Sequence, residues 1–136
     1  LKTHLQTRGF DVVDHGAREY DALDDYPQFC IDAAQGVVDD RRDGKDSLGV
    51  VIGGSGNGEQ IAANKVQGAR CALAWNEEIA RLARQHNDAW LVSIGARQHP
   101  EDQAIAIVDA FLDEPFSEDE RHVRRIGIIS DYDSKR

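Results

Sequence analysis

Methionine is absent from this 136-residue chain, so we expect that residue 1 is not the native start. Cysteine occurs only twice, at Cys30 and Cys71, far apart in sequence. That is no disulfide framework, and a reducing cytoplasm is the expected compartment. No apolar run reaches the ~18 residues that a membrane-spanning helix needs. The opening "LKTHLQTRGF" is polar and helix-like, so no secretory signal is expected in it. Positive charge is scarce: 16 Lys and Arg face 25 Asp and Glu, for a formal net charge of -9. This balance argues against nucleic acid or an anionic membrane as partner. Basic residues gathered locally can still bind a small anion. What is present, 40% hydrophobic and 30% charged residues, suits one globular domain over 1–136.

Apolar runs alternate with helical patterns. A helix over Leu1–Arg8 stops at Gly9. "FDVVD", Phe10–Asp14, reads as a short strand, residues 15–26 as a connection, and Pro27 as the start of a helix to about Asp40. "SLGVVIG" (47–53) is the clearest strand, apolar enough for a buried parallel position. A helix from Glu59 to about Val66 follows, then a strand over Ala69–Trp75. Asn76 caps "EEIARLARQH", whose first turn carries Glu77 and Glu78. "AWLVSIG" (89–95) is a further strand, and Pro100 opens "EDQAIAIVDAFL". Ser117, with Glu120 three residues on, predicts a capping box for the last helix. This order predicts an α/β fold: a doubly wound, Rossmann-like parallel sheet with helices on both faces. In such sheets ligands meet the C-terminal strand ends, here at Gly53, near Trp75 and at Gly95.

Between the clearest strand and its helix lies "GGSGNGE", four glycines in the six residues 53–58, closed by Glu59. Such a turn can aim backbone N–H groups into one small volume. It lacks the Lys and Ser/Thr of a phosphate-binding P-loop and has the wrong spacing for a dinucleotide fingerprint. A carboxylate here would repel a bound phosphate. It suits a base that takes a proton from carbon while backbone amides stabilise the enolate. Taken alone, Glu59 is equally an acid compensating the dipole of the following helix.

"GGSGNGEQIAANKVQGARCALAW", with "ARQHNDA", "SIGAR" and "ERHVRR" in the same order, resembles the ribose-5-phosphate isomerase B family along essentially the whole chain. That group includes the galactose-6-phosphate isomerase subunits. The resemblance implies an aldose–ketose isomerase that interconverts ribose 5-phosphate and ribulose 5-phosphate with no metal and no cofactor. In one version of the family a cysteine precedes the glycine loop, at the position of Gly53. In the other a glutamate follows the loop, at Glu59. Cys30 and Cys71 match neither position and are expected as buried packing residues. By the resemblance Glu59 is the base and Ser55 assists at the substrate oxygens. The amides of Gly54, Ser55, Gly56, Asn57 and Gly58 hold the enediolate. His86 opens the sugar ring with Asn87 beside it, and Arg97, Arg121 and Arg125 grip the phosphate. Arg121 and Arg125, four apart, share a helix face and suit phosphate geometrically. On residues alone the favoured reading of the two arginines is a solvated face paired with Glu118 and Glu120, and that of His86 a histidine satisfying helix-end carbonyls. The roles of His122 and Arg124 are left open by the sequence.

The family begins with a strand and an Asp-His-Ala-Gly stretch that this sequence does not contain; "DHG" at 14–16 follows the wrong strand. The expectation is therefore an N-terminally incomplete domain, short by on the order of 15 residues, with an opened core. The expected partner is a small sugar phosphate, and the expected assembly a homodimer or tetramer with shared active sites. In that arrangement His86, Asn87 and Arg97 face the partner's Glu59, with Trp75 and Trp90 as candidate interface anchors. The alternatives are an isomerase of another phosphorylated aldose, such as allose or galactose 6-phosphate, and a non-catalytic sugar-phosphate or nucleotide-binding module.

Overall fold

The computed structural model describes residues 1–19, 21 and 23–136; Tyr20 and Ala22, within the connection expected over 15–26, lie outside the described residues. Three parallel strands, β1 (Gly49–Gly53), β2 (Cys71–Leu73) and β3 (Leu91–Gly95), form one sheet in the order β1-β3-β2. Gly53 pairs with Gly95 and Leu73 with Ser93, so the three strands end along one rim. The helices are α1 (Lys2–Thr7), α2 (Pro27–Arg42), α3 (Asn57–Ala63), α4 (Glu77–Asn87), α5 (Glu101–Asp113) and α6 (Glu120–Asp133).

Alternate strand residues point to opposite faces, and each face has its own helices. Val51, Cys71 and Leu91 meet Cys30, Ala34, Val37 and Val38 of α2 and Ala62 and Ala63 of α3. Val92, Ile94, Val50 and Ala72 meet Ala80 and Ala83 of α4 and Ile107, Val108 and Phe111 of α5. This is the expected doubly wound arrangement. Cys30 and Cys71 are free and buried, and burial pushes their thiols up to about 11 and about 12; the Glu59 charge adds to the shift at Cys30.

Three expectations are corrected. Phe10–Asp14 forms no strand. An extended chain needs a neighbour at about 4.8 Å, and this segment instead lines a cleft of about 780 Å³ that separates it from β1. Val13 is accordingly exposed. For the same reason β1 has a free edge among the described residues, and β3 is the strand buried throughout. Ser117 does not cap α6. Glu118 takes a left-handed φ of 59°, which turns the chain away, and Asp119 caps by accepting from the Arg121 N–H at 2.9 Å. Trp90 sits at the start of β3, away from the rim, with the guanidinium groups of Arg70 and Arg41 over its ring at 4.6 and 5.3 Å.

Asn76 caps α4 as expected, accepting from the Ile79 N–H at 2.8 Å. The far end of α4 is fixed by Arg84, which is buried and over the Phe111 ring. It donates to Asp88 Oδ1 and the Ala89 carbonyl, both at 2.8 Å, and to the Glu114 carbonyl at 3.2 Å. Arg84→Ala removes all three bonds and leaves two carbonyls unanswered. We expect a loss of about 2–4 kcal/mol, read as a lower denaturation midpoint with unchanged slope. A loss below about 1 kcal/mol would mean that the network is ornamental.

Candidate functional site

The rim is built by the glycine loop. Gly56, the residue before α3, has φ of 85°, and a side chain there would strike Leu73 and Ser93, so only glycine fits. The loop's carbonyls are tied to the sheet. Ala96 N–H donates to Gly53 O at 2.7 Å, Arg97 N–H to Gly54 O at 3.1 Å, and the buried Ser93 hydroxyl to Gly56 O at 2.7 Å. Because a trans peptide points its N–H opposite to its carbonyl, the amides of Gly54, Ser55 and Asn57 turn away from the sheet. Ser55 Oγ accepts from the Asn57 N–H at 3.2 Å, which leaves the hydroxyl free to donate.

Helix α3 starts two residues earlier than expected, which puts Glu59 in its first turn and buries it. A Cβ on Gly53 would fall inside the Glu59 carboxyl group, so the carboxylate fills the space of the missing side chain. Glu59 is 7% exposed, and among the described residues no hydrogen bond or ion pair reaches its carboxylate. Its oxygens are nonetheless not among the buried polar atoms that lack a partner, a state found among the described residues only at Trp90 Nε1, so the carboxylate is held in a tight slot without being sealed in the core. The Arg97 guanidinium lies against Gly54 and has no acidic partner among the described residues. The structure thus groups Arg97 with its own chain's Glu59 and not with His86 and Asn87.

His86, Asn87, Arg121 and Arg125 gather at the opposite end of the sheet. Helix α4 runs against the strands, so its last residues return to the strand starts. There the Asn87 carbonyl accepts from Arg70 Nε at 3.1 Å, one residue before β2. At about 3.3 Å per residue, β3 separates the two ends by roughly 16 Å. Helix α6 crosses this foot of the sheet. His122 at its start stacks on His86, with ring centroids 4.3 Å apart, and Asp133 near its end accepts from the Gly68 N–H at 2.6 Å. Arg124, not its neighbours, takes Glu120, at 3.8 Å. Arg121 and Arg125 have no carboxylate partner among the described residues, so the solvated-pair alternative is not what forms.

The family model described as Ribose/Galactose Isomerase matches residues 1–129. The chain belongs to this family. It is 58% identical over 130 residues to "Ribose-5-phosphate isomerase B" of Mycolicibacterium paratuberculosis, covering 96% of this chain and 79% of that protein. Its fold is similar to the crystal structure of ribose-5-phosphate isomerase B from Mycoplasma genitalium with bound ribulose-5-phosphate. There the TM-score is 0.90 at 41% identity, over 98% of this chain and 86% of the other. The Clostridium thermocellum ribose-5-phosphate isomerase B matches with a TM-score of 0.88 at 38% identity, over 98% and 86%.

Sequence reasoning missed two residues of the isomerase-family rim. Ser93, fully buried, anchors the Gly56 carbonyl; the available signal was a lone hydroxyl in an otherwise apolar buried strand. Tyr26 lays its hydroxyl against Gly58, where a side chain would begin, and no local pattern announces that contact.

The Gly53–Glu59 packing is directly testable. Gly53→Ala should drive the carboxylate out of its slot while β1 and β3 stay paired, as seen in a crystal structure of the variant. A carboxylate still lodged against residue 53 would refute the steric account.

Proposed function

We propose that the protein is an aldose–ketose isomerase that interconverts ribose 5-phosphate and ribulose 5-phosphate, with Glu59 as the base. One observation carries this reading: a carboxylate packed into the space of the missing side chain at Gly53, with no hydrogen-bond or ion-pair partner among the described residues, beside a loop whose amides face away from the sheet. In the open-chain aldose Glu59 takes the C2 proton, and the electron pair moves to the carbonyl oxygen to form an enediolate. Amides of Gly54 to Gly58 and the Ser55 hydroxyl stabilise that oxygen. A proton passes between the two oxygens, and Glu59 returns its proton to C1. Only protons move, so atoms and electrons balance without a redox partner. His86 serves ring opening, with Asn87 beside it. Arg97, Arg121 and Arg125 supply cations for the phosphate, in a chain whose net charge would otherwise repel it. A pure sugar-phosphate receptor gives the unpaired carboxylate no task. The reading places the protein in the cytoplasm, where free thiols persist.

The active site is shared between two copies of the chain. With the base at the rim and the histidine at the foot, about 16 Å apart, one chain cannot bring both to one sugar. A second copy set with its foot against this rim can. Val123, Ile128, Ile129 and Tyr132 of α6 are exposed, with Trp75 and Ile52 exposed near the rim. These apolar surfaces are what such an interface would cover.

Glu59→Gln should lower kcat by at least about a hundredfold, within the range of general-base contributions, while the fold is kept. A variant within threefold of the parent in turnover excludes Glu59 as base.

Mixing Glu59→Gln with His86→Ala under subunit exchange tests the shared site. Half of the dimers are then mixed and carry one intact centre of two, which restores about a quarter of parental activity in a two-fold assembly. Exchange confirmed by mass with no recovered activity places each site within one chain.

A further inference from the structure

His122 is the one buried residue of α6, 7% exposed on a helix that otherwise faces outward. Its Nδ1 lies 2.7 Å from Ser117 Oγ, and its Nε2 lies 3.4 Å from Arg121 Nη2. Its ring stacks on His86 at a tilt of 34°. Ser117 is itself fixed: its N–H donates to the Gln85 carbonyl at 3.1 Å, one residue before His86, and its Oγ accepts from the Asp119 N–H at 3.1 Å. A guanidinium can only donate, so Nε2 is the acceptor and the ring proton sits on Nδ1, donating to Ser117. This requires a neutral ring. Burial lowers the proton affinity of His122, His86 and Arg121 lower it further, and Asp119 opposes them.

Given the isomerase reading above, we propose that His122 is the positioning residue of the foot half-site. Held by Ser117, its ring steadies the Arg121 guanidinium through Nε2 and the His86 imidazole by stacking. One side chain thereby sets the distance between the phosphate grip and the group that opens the sugar ring. The left-handed turn at Glu118 serves this arrangement, because it takes Ser117 out of the helix and places its hydroxyl under the imidazole.

The test uses two readouts: inorganic phosphate affinity by calorimetry and the KM–kcat split with ribose 5-phosphate. His122→Phe keeps the stack and loses both nitrogens. Its phosphate Kd and its KM should rise about five- to tenfold, as for a lost charge-assisted hydrogen bond, with kcat within twofold of the parent. His122→Ala also removes the stack, and its kcat should fall about tenfold or more. Ser117→Ala frees the ring without removing it and should weaken phosphate about two- to threefold, which keeps the test open if a ring exchange disturbs α6. Phosphate affinities of His122→Phe and Ser117→Ala within 1.5-fold of the parent would show that His122 merely packs α6, and would overturn the proposal. A parent that does not bind inorganic phosphate overturns it as well. A parent that binds phosphate but does not isomerise ribose 5-phosphate overturns the functional reading alone, since the phosphate titrations still decide the role of His122.

Discussion

Where the Glu59 carboxylate sits, no side chain can begin at position 53, and much of the rim follows from that exclusion. To reach the spot, Glu59 must lie in the first turn of α3, so the helix has to start inside the glycine loop. That start needs the left-handed Gly56, whose carbonyl is held by Ser93 from the neighbouring strand. The two forms of base in the family resemblance, a thiol at position 53 or a carboxylate at position 59, are then two ways of filling one volume. A chain cannot keep both in place.

Two buried charges in this chain make an instructive contrast. Arg84 is surrounded by acceptors and fastens the end of α4 to the connection after α5. Glu59 is equally buried and has nothing comparable around its carboxylate among the described residues. The first fastens the fold, whereas the second fills a slot that any side chain at position 53 would close. Arg97, Arg121 and Arg125 lie at the surface, as cations without carboxylate partners among the described residues in a chain with an excess of acid. Charges left unpaired at both ends of the sheet are the mark of a surface arranged for something outside one chain.

The direction of α4 explains why the two ends differ. A helix that follows a parallel strand must run back, so its cap sits at the rim and its last turn at the foot. His86 and Asn87 are in that last turn, and α6 crosses beneath them to bring Arg121 and Arg125 alongside. The connectivity of the fold, more than any single contact, keeps the histidine and the carboxylate apart within one chain.

The order of strands and helices from residue 27 onward was legible in the sequence, because local signals set it: Pro27 and Pro100 at helix starts, Asn76 as a cap, apolar runs of strand length. The glycine loop and Glu59 were legible for the same reason, since backbone freedom and a lone acid are written at consecutive positions. What depends on partners distant in sequence was not. Phe10–Asp14 has the composition of a strand but no ladder to join, and Ser117 has the spacing of a cap but follows a turn at Glu118 that removes it. Trp90 shows its environment only once the helices have closed around it, whereas Cys30 and Cys71 were expected to be buried and are. That Arg97 lies with Glu59, that His122 lies under His86, and that the glycine loop and His86 stand at opposite ends of the sheet were decided by tertiary structure alone. The physical reason is that sequence spacing sets which side chains share a turn or a strand face, while only the path of the chain through three layers sets which ends meet.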